Sequence, residues 1–83
     1  MAIDYSKLRS LAARDIVRAL LADGFVLSAG ATSHRRYKHG DGRRVTVAYH
    51  GAGGTFVPKT LRSMIEEQAC WTEDDLKRLK LLK

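Results

Sequence analysis

The feature that most constrains the fold is a pair of strand-like segments joined by a short turn. The first covers His34–His39, the second covers Arg43–Tyr49, and a Gly-Asp-Gly sequence at residues 40–42 separates them. Two such segments around a glycine-containing turn predict an antiparallel β-hairpin. Phe25–Ser28 is also rich in residues that suit a strand and precedes the hairpin. We therefore expect a sheet of three antiparallel strands.

Helical patterns lie on both sides of this predicted sheet. Ile16, Ala19 and Leu20 share one helical face, and the helix is expected to end at Asp23-Gly24. After a flexible loop at residues 51–54, a second helix is predicted to begin near Pro58, with an apolar face formed by Leu61, Met64, Ile65 and Ala69. Thr72 is a suitable cap for a short last helix. The order α-β-β-β-α with a short C-terminal helix predicts an α+β fold with the helices on one face of the sheet.

Alternation along the strands predicts which side chains lie on the uncovered face. Val45, Val47 and Tyr49 point one way along the third strand and, being apolar or aromatic, are expected to pack beneath the helices with Tyr37. The same alternation places five polar side chains on the opposite, solvent-facing side of the sheet: His34, Arg36, Lys38, Arg44 and His50. A shift of one residue in register would reverse this assignment.

Charge and composition narrow the class of partner. The 83 residues contain 15 lysines and arginines against 9 acids, a net charge of +6, which favours an anionic partner such as nucleic acid, an acidic protein or a membrane surface. The alternative is that the charge only maintains solubility. The length predicts a single domain over residues 1–83. Without a signal peptide or an apolar stretch long enough to span a membrane, the chain is expected in the cytoplasm.

The cysteine and histidine content argues against a metal centre. Cys70 is the only cysteine, so an intramolecular disulfide and a multi-cysteine metal site are excluded. It ends an amphipathic helix and is expected to lie near the core as a structural residue, not as a nucleophile. The three histidines have neither metal-ligand spacing nor a cluster of carboxylates around them. We expect no metal and no cofactor.

His34 is the candidate for chemistry because it lies among cations. A histidine changes its charge near neutral pH, and the neighbouring guanidinium and ammonium groups would hold phosphates against it. RNA cleavage needs a base for the 2′-hydroxyl, an acid for the departing 5′-oxygen and cations around the phosphate. The alternative is that His34 is simply an exposed polar residue. We interpret His39 as a solvated turn residue, and His50 either assists His34 or merely ends its strand.

The ordered set of motifs resembles the HicA family, the toxins of HicA–HicB toxin–antitoxin systems, over roughly residues 13–76. The family has a Gly-Ser-His signature at the start of its second strand, and Ser33-His34 matches its last two residues. Four further segments resemble the family: the helix exit Gly24-Phe25, the aromatic Tyr37, the strand at residues 43–47 with His50, and the helix at residues 58–65. Thr32 stands where the family usually has glycine, and the nearest glycine is Gly30, which predicts a different loop shape before His34.

The resemblance implies a function as well as a fold. It implies the double-stranded-RNA-binding-like fold and a metal-independent endoribonuclease that cleaves mRNA, with His34 as the catalytic residue. The residues expected to bind RNA are Ser33, Arg36, Lys38, Arg44 and His50. It also implies a HicB-type antitoxin as protein partner, expected to cover the face that carries His34.

Two other functions are compatible with a basic domain. A non-catalytic RNA-binding module would use the same fold and the same charges without chemistry, so affinity for RNA alone does not distinguish it from an enzyme. A sequence-specific DNA-binding protein is disfavoured, because no helix-turn-helix pair with an exposed recognition face is evident.

Overall fold

The computed structural model describes residues 3–30, 34–49, 51 and 53–82. Its helical elements are a 3-10 helix, Tyr5–Leu8, followed by α1 (Ala13–Ala22), α2 (Pro58–Arg62) and α3 (Glu73–Arg78). The chain continues from α2 into a π-helical turn, Ser63–Gln68. The strands are β1 (Val26–Ala29), β2 (His34–Lys38) and β3 (Arg44–Ala48). The predicted order of elements is confirmed, with β1 beginning one residue later than expected.

The strands form an antiparallel sheet in the order β1-β2-β3, so β2 is the central strand. Tyr37 lies opposite Val45 and Arg35 lies opposite Val47 in the β2–β3 register. The register between β1 and β2 is interrupted between Leu27 and Ala29, where a bulge changes the pairing. This irregularity comes just before the segment that leads into His34.

The sheet has one covered face and one exposed face, as the alternation predicts. Tyr37, Val45 and Val47 are buried and belong to the apolar cluster that also contains Ile16, Leu61 and Ile65 from the helices. We call the other side the open face; it carries His34, Arg36, Lys38, Arg44, Thr46 and Ala48. This arrangement confirms the α+β fold with helices on one face of the sheet.

The π-helical turn fastens the second helix to the edge of the sheet. The backbone N–H of Thr46 donates to Oε1 of Gln68 at 2.8 Å, and Nε2 of Gln68 donates to the hydroxyl of Ser63 at 3.1 Å. Just beyond the turn, Cys70 adopts a φ of 57° and is exposed, rather than packed near the core as the sequence suggested. The side chain of Gln68 therefore pairs a backbone group that would otherwise stand open at the outer edge of β3.

The hairpin end of the sheet is closed by charged and aromatic side chains around Asp23. Its carboxylate accepts a hydrogen bond from the indole N–H of Trp71 at 2.9 Å and pairs with Arg43 at 3.2 Å and Arg78 at 2.9 Å. His39 packs edge-on against Phe25, with its Nε2 2.8 Å from the carbonyl oxygen of Asp23. His39 is thus half-buried and built into this cluster, which corrects its interpretation as a solvated turn residue.

Candidate nucleic-acid interface and active site

His34 is the first residue of β2 and lies on the open face. It pairs with Ala48 of β3, and its side chain is exposed. Arg36 lies two residues further along β2, opposite Thr46. Because side chains on one face of a strand recur every second residue, Arg36 lies on the same face as His34. The strand therefore presents an imidazole and a guanidinium in one line.

The backbone around His34 depends on a close contact with Gly30. Gly30 has a φ of +84°, and a Cβ built on it would lie 1.9 Å from the carbonyl oxygen of His34. No side chain fits there without moving the strand, so only glycine allows this approach. The sequence identified Gly30 as the glycine nearest to the Ser33-His34 signature, but it did not predict this contact with the backbone of His34. Thr32 and Ser33 lie outside the described residues.

A cluster of three cations, which we call the basic row, extends from His34 toward the hairpin. It consists of Arg36, Lys38 and Arg44, all of them exposed, with Lys38 directly opposite Arg44. The row borders a shallow cavity of about 410 Å³ that is also lined by Ser28, Ala29, Tyr37, Val45 and Thr46. None of the described residues that line it is acidic. The basic row therefore produces a positive potential on this face that suits a chain of phosphates.

The other two cations of this region are used inside the protein. The guanidinium of Arg35 lies 3.7 Å from the centre of the Tyr49 ring. Arg43 binds Asp23 and Asp41 and donates to the carbonyl oxygen of Ala69 at 2.6 Å. These contacts engage Arg35 and Arg43 within the protein, so they are less available to a ligand than the cations of the basic row.

A second cavity opens on the other side of His34, between β3 and the second helix. We call this cavity of about 360 Å³ the β3–α2 groove, and its lining is His34, Thr46, Ala48, Lys59, Thr60, Ser63, Met64 and Gln68. Thr46 also lines the cavity of the basic row, so the two cavities adjoin at this residue. The sequence shows the polar side of this helix opposite Leu61 and Ile65, but it does not show which sheet edge that side meets.

The other histidines do not add a described residue to the site. His50, like Ser33, lies outside the described residues, so its place relative to His34 stays a prediction. His39 lies beside Asp23 at the hairpin end and does not join the site. Within the described part of the chain, no three side chains among His, Cys, Asp and Glu are grouped as metal ligands. Among the helices of those residues, none is both long and apolar enough to cross a membrane.

Comparison with known proteins agrees with this geometry. The family model of the HicA toxin of bacterial toxin–antitoxin systems matches residues 13–69, which is more than half of the chain. The chain belongs to the HicA toxin family. The matched segment begins with α1 and ends just after the π-helical turn, so it contains the whole sheet, His34 and the residues that line the β3–α2 groove. No curated protein matches the sequence significantly. Membership of the HicA family makes the chain a toxin that pairs with an antitoxin.

Proposed function

We propose that this toxin is a metal-independent endoribonuclease that cleaves mRNA in the cytoplasm and so inhibits translation. The observation that carries the proposal is the place of His34 on the open face, in line with Arg36 of the basic row. A titratable imidazole and adjacent cations are the groups that RNA cleavage without a metal requires.

The reaction follows from the chemistry of the RNA backbone. The ribose 2′-oxygen attacks the adjacent phosphorus, the new O2′–P bond forms, and the P–O5′ bond breaks. One proton leaves the 2′-hydroxyl and one is delivered to the departing 5′-oxygen, giving a 2′,3′-cyclic phosphate and a 5′-hydroxyl. His34 accepts or donates one of these protons, and the basic row stabilises the charge that accumulates on the phosphate.

The first prediction concerns His34→Ala. Removing a general acid or base lowers the rate of cleavage by a factor of about 10² to 10⁴, while RNA affinity is nearly unchanged because arginine and lysine make the phosphate contacts. The measurement uses single-stranded RNA with purified, antitoxin-free protein in EDTA, and compares cleavage with binding to a 2′-O-methyl RNA. Thermal unfolding verifies that the variant is folded.

The same variant separates the enzyme from a non-catalytic RNA-binding module. The basic row is compatible with such a module, because its cations would bind RNA even if the protein did not cleave it. Intact RNA at large protein excess, from a sample shown to be folded, would contradict the nuclease. Equal growth inhibition by wild type and His34→Ala would contradict the assignment of His34.

We further propose that a HicB-type antitoxin covers the open face and so blocks the RNA site. The net charge of +6 and the basic row favour an acidic surface on the partner, and complementary charge speeds association. A complex stable enough to keep a toxin inactive should bury at least about 1,000 Å². The alternative is an antitoxin bound to the helical side that acts only on expression.

The second prediction tests this shared surface with Arg36→Glu combined with Arg44→Glu. If RNA and antitoxin use the same face, both affinities fall together. Arg9→Glu combined with Arg18→Glu is the matched control, because it makes the same change in charge outside the open face. Loss of RNA binding with unchanged affinity for the antitoxin would refute the shared surface.

A further inference from the structure

The β3–α2 groove is chemically suited to part of a nucleic-acid backbone. Three side chains that line it carry hydroxyl groups, Thr46, Thr60 and Ser63, and Lys59 adds an ammonium group. The described residues that line the groove include no carboxylate. A cavity that offers donors and positive charge without a competing acid favours an anionic ligand rich in oxygen atoms.

Two hydrogen bonds connect residues that line the groove. Gln68 is occupied, since its Oε1 accepts from the N–H of Thr46 and its Nε2 donates to the oxygen of Ser63. Ser63 accepts in that bond, so its own O–H remains available to donate. Gln68 therefore shapes the wall of the groove, and Ser63 and Lys59 line the same cavity.

The position of the groove relates it to the chemistry of His34. His34 lines the groove directly, and Thr46 joins the groove to the cavity of the basic row. A strand of RNA that follows Arg36 toward His34 would therefore continue over the edge of β3 onto the second helix. A volume of about 360 Å³ is within the range of cavities that bind small ligands, which is the size class of one nucleotide.

We propose that the β3–α2 groove binds the nucleotide next to the scissile phosphate and that Lys59 contacts the phosphate of that nucleotide. The proposal rests on the proposed RNA function and adds the direction in which RNA leaves the open face, across β3 rather than across β1. Lys59 is a positioning residue in this scheme, because it holds the strand whose ribose and phosphate meet His34.

The test is the salt dependence of RNA binding, because it counts phosphate contacts. The probe is a mixed-sequence 2′-O-methyl RNA of about ten nucleotides, within the range of single-strand site sizes, which lacks the attacking hydroxyl. Each phosphate contact on a single strand adds about 0.7 to the slope of log K against log salt. Lys59→Gln should lower the slope by about that amount and weaken binding about three- to tenfold.

Two further variants make the result specific. Lys77→Gln is the matched control, since it removes one charge from α3, which is anchored through Arg78 and Asp23 at the hairpin end of the sheet. It should leave the slope unchanged. Thr60→Val keeps the shape of the side chain and removes its hydroxyl, so it should weaken binding with no change in slope. Thermal unfolding verifies that each variant is folded.

The outcomes distinguish this proposal from the nuclease. If the wild type cleaves RNA but Lys59→Gln and Lys77→Gln give the same slope of log K against log salt, the role of the groove is contradicted and the nuclease is supported. RNA binding that depends on Lys59, without cleavage by the wild type, would support RNA binding in the groove but contradict the nuclease and the position of the groove next to a scissile phosphate. Absence of RNA binding by the folded wild type would overturn both.

Discussion

At the scale of single residues, the site depends on a glycine as much as on a histidine. Gly30 lies so close to the carbonyl oxygen of His34 that a Cβ on it would be 1.9 Å from that oxygen. Its φ of +84° is also one that other residues adopt only with strain. The strand position of the catalytic candidate is thus set by the residue four places before it.

The third prediction follows for Gly30→Ala. The methyl group must displace the backbone at His34, so RNA cleavage should fall at least about tenfold, in line with the sensitivity of catalysis to misplacement. Gly42→Ala is the matched control: Gly42 has a φ of +99°, yet a Cβ there meets nothing within 4 Å. Both variants should lose about 1–2 kcal/mol from positive φ. Equal cleavage by the two folded variants would contradict this role of Gly30.

At the scale of elements, the π-helical turn matters because it fastens α2 to β3. Lys59 of α2 and His34 of β2 line the same cavity, and this attachment helps to hold the two elements together. π-helical turns occur frequently at functional sites, and here the turn carries Gln68 to the backbone of the strand. The groove is therefore a property of the contact between two elements and belongs to neither alone.

The fourth prediction tests that attachment with Gln68→Met, which keeps the length of the side chain and removes both hydrogen bonds. Unfolding free energy should fall by about 1 kcal/mol. Amide hydrogen exchange at Thr46 should accelerate, because its N–H loses a partner and the edge of β3 opens to solvent. Glu67→Met, at an exposed neighbouring position, serves as control. Unchanged exchange at Thr46 in Gln68→Met would contradict the role of the turn.

At the scale of the whole molecule, Asp23 connects segments that are distant in the sequence. Its side chain is only 10% exposed and contacts Arg43 after the hairpin turn, Trp71 and Arg78. Desolvation by burial raises the pKa of Asp23, but hydrogen bonds from Trp71 and Arg78 and the charges of the two arginines outweigh it, so the pKa lies below its ordinary value of 3.8. The ionised carboxylate therefore stabilises the folded state.

The fifth prediction is the pH dependence of this stabilisation. A carboxyl group with a lowered pKa contributes its full stabilisation above its unfolded value, and the contribution is lost as pH falls through the folded value. Asp23→Asn should cost about 2 kcal/mol at pH 7. The difference in unfolding free energy between wild type and variant should shrink below about pH 4, as urea titrations would measure. A difference independent of pH would show that the charge of Asp23 is not involved.

Local periodicity was sufficient to predict the fold and the faces on which the described residues of β2 and β3 lie. Side chains alternate along a strand, so the need to bury Val45 and Val47 determined that Thr46 and Arg44 point the other way. Apolar spacing similarly predicted the covered faces of α1 and α2. These are properties of neighbouring residues in one element, and a single sequence contains them.

The tertiary structure alone decided which polar groups share a surface. It committed Arg43 to Asp23 and Ala69, and it brought Lys59 beside a histidine 25 positions earlier in the chain. It also set Gly30 against the carbonyl oxygen of His34. These contacts depend on how helices and strands dock, and docking is governed by buried area and chain connectivity, which no local pattern of residues records.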